Sequence, residues 1–176
     1  MIAIVPVGDI PFLDKIKENV EETFCTQVEI GKTFLDLSAA YNPFRQQVHA
    51  GTVLRMLSEM DFPGALKVIA ITDVDLYEKG LNFVFGEARL GGRDAVVSIY
   101  RLVHEDESVF RERTMKEVNH ELGHTFGLGH CPDPQCVMSF SNSIMDVDRK
   151  SRHFCPNCRL YLNEQLLLLG IEPCRS

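Results

Sequence analysis

The chain has 176 residues, 45% of them hydrophobic and 24% charged, with a formal net charge of −7. That length suits one well-cored domain and is short for two, and no apolar run approaches the roughly 20 residues that cross a bilayer. The acidic balance lacks the basic footprint that nucleic acid or anionic lipid would attract, so neither is expected as a partner.

Ile2 to Pro6 reads as a short apolar strand, not a secretion signal, because no basic n-region or small-residue cleavage site accompanies it. A cytoplasmic protein is expected, with a monomer favoured. Gly8-Asp9 and Pro11 signal a turn and a helix start, after which Leu13, Ile16, Val20 and Phe24 recur at helical spacing. Val28 to Ile30 is a weak second strand. Asn42-Pro43 is expected to open a second helix, with Phe44, Val48, Leu57 and Met60 on its core face and Asp61 to Gly64 ending it. Lys67 to Ile71 is a buried strand. This alternation implies right-handed crossovers and a parallel sheet.

The pattern then changes. Leu81 to Ala88 and Asp94 to Arg101 are strand-like runs joined around Gly91-Gly92, which reads as an antiparallel hairpin. We assign Leu81 to Ala88 to the sheet edge, where unpaired N–H and C=O groups could accept an extended peptide. Ser108 is expected to cap the next helix, with Glu107 near its positive end. Val109, Met115, Val118, Leu122 and Phe126 give that helix a buried side, which turns His120 and His124 toward a cleft. A terminal helix is placed near Arg159 to Leu169, with the run Leu166 to Leu169 read as packed core.

The stretch from His120 to His130 carries the chemistry. Positions i and i+4 stack on one helix face, so the imidazoles of His120 and His124 can reach one metal ion. Glu121 lies beside that ion without ligating it, as a general base acting on water must. Gly127 can adopt the left-handed conformation that ends a helix, which returns His130 toward the same ion. Three protein ligands with one open position describe a catalytic zinc.

Four of the six cysteines follow this motif. Cys131 and Cys136 flank a Pro-containing loop, and Cys155-Pro156-Asn157-Cys158 is a C-x-x-C knuckle. Two short-spaced pairs suit a tetrahedral structural zinc; two disulfides or an iron centre are the alternatives. Cys25 and Cys174 stand alone and are read as a small buried hydrophobe and a tail thiol. Two zinc ions, one catalytic and one structural, are therefore expected. Because His130 and Cys131 are adjacent and consecutive Cα atoms lie about 3.8 Å apart, the ions should lie within roughly 15 Å of each other.

The pattern H-E-x-x-H-x-x-G-x-x-H resembles that of the metzincin metalloproteases. With a cysteine directly after the third histidine, then Cys136-Val137-Met138 and the later C-x-x-C, the chain is similar to the archaemetzincins in particular. That resemblance implies peptide-bond hydrolysis, with room for aminopeptidase character. It makes His120, His124 and His130 the catalytic zinc ligands, Glu121 the general base, Met138 the methionine of a turn beneath the zinc, and Cys131, Cys136, Cys155 and Cys158 the ligands of the second zinc. Phe140 departs from the tyrosine that astacin-like and serralysin-like metzincins carry two residues after that methionine, and a phenyl ring has no donor.

The expected fold is α/β, of the α+β metzincin-like kind. It has a mixed, mostly parallel sheet with one antiparallel edge strand, helices packed on it, an active-site helix and a small, irregular zinc-stabilised C-terminal subdomain. One catalytic domain spans 1–176, with subdomains 1–130 and 131–176. The expected function is a zinc-dependent metallopeptidase acting on a peptide or protein substrate. The alternatives are a catalytically silent zinc-binding module that binds peptides and a hydrolase of non-peptide amides. Asp73 and Asp75 are read as caps of a loop after a strand, the other reading being hydrogen-bond partners of the histidines. His49, His104 and His153 are read as surface or loop histidines.

Overall fold

A computed structural model describes residues 1–174. In chain order its elements are β1 (Ile2–Val7), α1 (Leu13–Phe24), β2 (Val28–Ile30), β3 (Tyr41–Asn42), β4 (Gln47–His49), α2 (Ala50–Ser58), β5 (Lys67–Thr72), β6 (Leu76–Tyr77), β7 (Gly86–Ala88), β8 (Asp94–Ser98), α3 (Glu107–Thr125), α4 (Ile144–Arg149) and α5 (Pro156–Leu168). The main sheet runs β2-β1-β5-β8-β7, every neighbour parallel except β7 with β8. All six residues of β5 are buried, as a parallel strand covered on both faces requires. Alternate side chains serve two cores. Ile2, Ile4, Ile69 and Ile71 pack with Ile16, Val20 and Phe24 of α1 and with Val118 and Leu122 of α3. Ala3, Val5, Val68 and Ala70 pack with Val53, Leu54 and Leu57 of α2. The sheet thus holds α3 against one face with its cleft side free. A second, small sheet has the order β3-β4-β6.

The antiparallel edge is where the sequence puts it, but shorter. Only Gly86–Ala88 pairs with β8, while Val84 makes an isolated bridge to Leu76. Gly91, at φ 68°, takes the left-handed turn position that closes the hairpin.

The second helix begins eight residues later than expected, at Ala50. The Asn42 side chain accepts the amides of Phe44 and Arg45 at 3.0 and 3.2 Å, and Gln46 sits at φ 55°. That local bonding makes a turn between β3 and β4 instead of a helix start. Phe44 is consequently 98% exposed, and Val48 lies on a strand. The His49 ring caps the true helix, accepting from the Thr52 amide at 3.1 Å.

Three further expectations need correction. The cap of α3 is Asp106, whose carboxylate accepts the Ser108 amide at 2.9 Å; Ser108 is already inside the first turn. In α5, which starts at Pro156, Leu166 is buried but Leu167, Leu168 and Leu169 are exposed, because only one residue in about 3.6 faces inward. Cys25 and Cys174 are joined as a disulfide across 149 residues. Neither is a lone thiol.

Candidate metal centre and its relatives

The end of α3 is fixed by the sheet. Lys67 donates from Nζ to the carbonyls of Thr125 and Gly92, both at 2.7 Å, and the Gly91 amide donates to the His124 carbonyl at 2.9 Å. The contacts to Thr125 and His124 satisfy carbonyls that a helix C-terminus leaves without partners, and Gly92 ties the same lysine to the hairpin. Gly127 follows at φ 94°, the left-handed stop expected there, and the chain turns back toward the helix.

That turn brings three imidazoles together. The ring nitrogens of His120, His124 and His130 lie within 4.8 Å of one another. His120 Nδ1 meets the Val137 carbonyl and His124 Nδ1 meets the Leu128 carbonyl, both at 2.7 Å. A carbonyl can only accept, so each Nδ1 carries the proton and each Nε2 keeps a lone pair. Those two Nε2 atoms face each other at 3.1 Å, with no proton between them to share. Two opposed lone pairs at that distance suit a shared cation. Burial first, and the nearby Lys150 charge after it, push His120 well below the ordinary imidazole range; burial also lowers His124 and His130. Neutral rings are what metal ligation requires.

Glu121 is 5% exposed. Burial, reinforced by Glu117, raises its carboxyl well above the usual range, while Lys150 opposes the shift. Space for it comes from Gly86 on the edge strand, where a Cβ would fall 2.8 Å from Glu121 Cγ and 2.6 Å from the Val96 carbonyl. The three histidines, Glu117 and Glu121 line a cleft of about 220 Å³ with Leu81 and the run from Phe83 to Gly86 as one wall and Phe140 to Asn142 as another. Met138 lies under the helix, its Sδ 2.5 Å from where a Cβ of Gly123 would stand. Phe140 stacks obliquely on His130 at 5.1 Å between centroids.

The four sulfurs of Cys131, Cys136, Cys155 and Cys158 also lie within 4.8 Å of one another, and none is in a disulfide. Cys136 Sγ accepts the amides of Met138 and Cys155 at 3.5 and 3.3 Å, and Cys155 Sγ accepts the Cys158 amide at 3.5 Å. N–H groups aimed at sulfur favour thiolates: the Cys158 amide lowers the Cys155 thiol, which also caps the positive end of α5, whereas burial raises Cys136 and Cys158. Cys131 is tied to the methionine turn by its amide, which donates to the Met138 carbonyl at 2.9 Å.

The remaining candidates lie elsewhere. Asp73 accepts the Asp9 amide at 3.0 Å, and Asp75 pairs with Arg101 at 2.9 Å, so the histidines find backbone carbonyls instead. His49 caps α2, His104 accepts the Asp106 amide at 2.9 Å, and His153 is exposed. Sequence reasoning passed over Gly86, Glu117 and Lys150. The signal for Glu117 was present as E-x-x-H, since it stands three residues before His120; Lys150 gave none.

Residues 12–164 match the family described as Peptidase family M54. The chain belongs to that family. An archaemetzincin of Thermococcus kodakarensis is 46% identical over 186 residues, covering 98% of this chain and 97% of the relative. Another, from Methanopyrus kandleri, is 47% identical over 163 residues, with coverage of 90% and 93%. The crystal structure of the Methanopyrus kandleri archaemetzincin matches at a TM-score of 0.87 and 45% identity, over 94% of each chain. A zinc-dependent peptidase from Methanocorpusculum labreanum matches at 0.81 and 30% identity, over 93% of this chain and all of that one. The resemblance to archaemetzincins and the mixed α/β fold are thereby borne out. Membership of M54 makes the chain a zinc metallopeptidase, an enzyme that acts on peptides. Among the described residues no helix is long and apolar enough to cross a membrane.

Proposed function

We propose that the chain hydrolyses peptide bonds at a zinc ion held by His120, His124 and His130, with Glu121 as general base and a second, structural zinc on Cys131, Cys136, Cys155 and Cys158. The observation that carries this reading is the pair of facing Nε2 atoms beside a buried carboxylate. Zinc bound there supplies a Lewis acid for the scissile carbonyl and a water that is easier to deprotonate. The Val137 and Leu128 carbonyls hold two rings in the tautomer that presents Nε2 inward. Glu121 takes the proton of the attacking water and hands it to the leaving amine nitrogen. Gly86 keeps the edge strand from occupying the space this carboxylate needs. The wall of Leu81 and Phe83 to Gly86 offers backbone along which an extended peptide can lie.

We read the chain as one catalytic domain whose subdomains meet between His130 and Cys131. A cytoplasmic setting suits the four unpaired cysteines of the cluster, and the Cys25–Cys174 disulfide runs against it. The deciding experiment compares the parent and Glu121→Gln on a peptide library, with metal analysis of both. Loss of cleavage with unchanged zinc content is expected; a variant cleaving at the parent rate refutes the assignment.

A further inference from the structure

Lys150 has figured so far only as a positive charge near His120 and Glu121, yet its side chain is 0% exposed. Lysine is almost never fully buried without a partner, and burying an ion pair gives little net stability. Its Nζ lies 2.9 Å from Glu117 Oε1, at an angle that serves charge pairing more than hydrogen bonding, and 3.4 Å from the Ser139 carbonyl next to Met138. Glu117 is 2% exposed and lines the same cleft as the histidines.

The spacing of Glu117 gives the pair its meaning. Glu117-Val118-Asn119-His120 is an E-x-x-H segment on one helix, and residues at i and i+3 share a face. This arrangement delivers a carboxylate and an imidazole to one metal in helical metal sites. A fourth protein ligand would close the site, and a closed tetrahedral site is structural, not catalytic. We infer that Lys150 is a positioning residue that draws Glu117 away from the metal and so keeps the fourth coordination position open for water and substrate. The inference rests on the three-histidine site proposed above. Charge counting agrees, since Lys150 offsets Glu117 and leaves Glu121 as the one uncompensated carboxylate of this group beside the cation. Lys150→Met frees Glu117, adding both a ligand and a negative charge.

The test uses the whole chain loaded with cobalt(II), whose d–d bands report coordination at the histidine site separately from thiolate charge transfer at the cysteine site. Lys150→Met is expected to bind the histidine-site cobalt about tenfold more tightly, to shift its d–d bands and to lose peptidase activity. Adding Glu117→Gln to Lys150→Met should return the bands to the parent form and restore part of the activity. Glu117→Gln alone should leave the bands unshifted, and it keeps the inference testable if Lys150→Met fails to fold. Weaker cobalt binding in Lys150→Met, no rescue in the double variant, or shifted bands in Glu117→Gln would each overturn it. If the parent chain binds no cobalt at the histidines, the underlying site assignment fails instead.

Discussion

Gly123 and Gly86 show how single missing side chains make room for the site. At Gly123 a methyl group would meet Met138 Sδ at 2.5 Å, a distance real Cβ atoms do not tolerate. Gly123→Ala must therefore displace the buried Met138 side chain from α3, at a cost of about 1–3 kcal/mol for overpacking. Differential scanning calorimetry of the zinc-loaded chain would read it, and an unchanged melting temperature would contradict this packing. At Gly86 the obstacles are the Val96 carbonyl and the Glu121 side chain. Gly86→Ala is expected to lower kcat by at least about tenfold through displacement of Glu121, the proposed base, while metal content holds. Steady-state assays beside metal analysis separate that from a loss of zinc. Neither glycine was legible as a spacing requirement, since both occupy positions whose neighbours come from distant parts of the chain. Gly127 was legible because the need to turn back toward His130 is local.

Elements carry the next level of control. The edge strand β7 points Gly86 toward Glu121 and the next residue, Glu87, toward Glu78 and the α2 start. Burial, then the hydrogen bond and charge of Glu78, raise the Glu87 carboxyl to about 7. The folded chain therefore holds that proton more tightly than the unfolded one, whose glutamate titrates near about 4.3. The stability this provides is complete below the unfolded value and is lost as pH rises through about 7. Glu78 moves oppositely: burial works against it, but bonds from Glu87, the Lys79 amide and His49 keep it below the ordinary value. Its contribution is present above the unfolded value and lost as pH falls through the folded one. Glu87→Gln should accordingly flatten the decline in melting temperature between about pH 5 and pH 8. A profile parallel to the parent's would contradict the coupling. The cysteine segment makes an independent prediction, because the Cys131 amide bonds Met138 and follows His130 directly. Cys155→Ser combined with Cys158→Ser should destabilise the fold and weaken zinc binding at the histidines as well. Zinc titration against a chelator checks this, full affinity at the histidine site being the contrary result.

At the scale of the whole molecule, the Cys25–Cys174 bond closes a span of 149 residues, tying the end of α1 to the tail. Chain-entropy models give up to about 5 kcal/mol for such a closure, so Cys174→Ser should lower the melting temperature without changing metal content. A substitution is the cleaner test, because thiol reductants also compete for zinc. An unchanged denaturation midpoint would show that the bond adds nothing to stability. By itself the sequence pointed to the family, to two candidate metal-binding clusters and to the layering. Histidines at i and i+4, a glycine stop and two short-spaced cysteine pairs act over a few residues of known geometry, while a continuous apolar run marks a strand buried on both faces. Tertiary structure alone decided the rest. The carbonyls that orient His120 and His124, the glycine that admits Glu121, the lysine that pairs with Glu117 and the partner of Cys25 arise where remote segments meet. Hydrogen bonds and steric contacts fall away within a few ångströms, so only the folded chain could say which distant groups come that close.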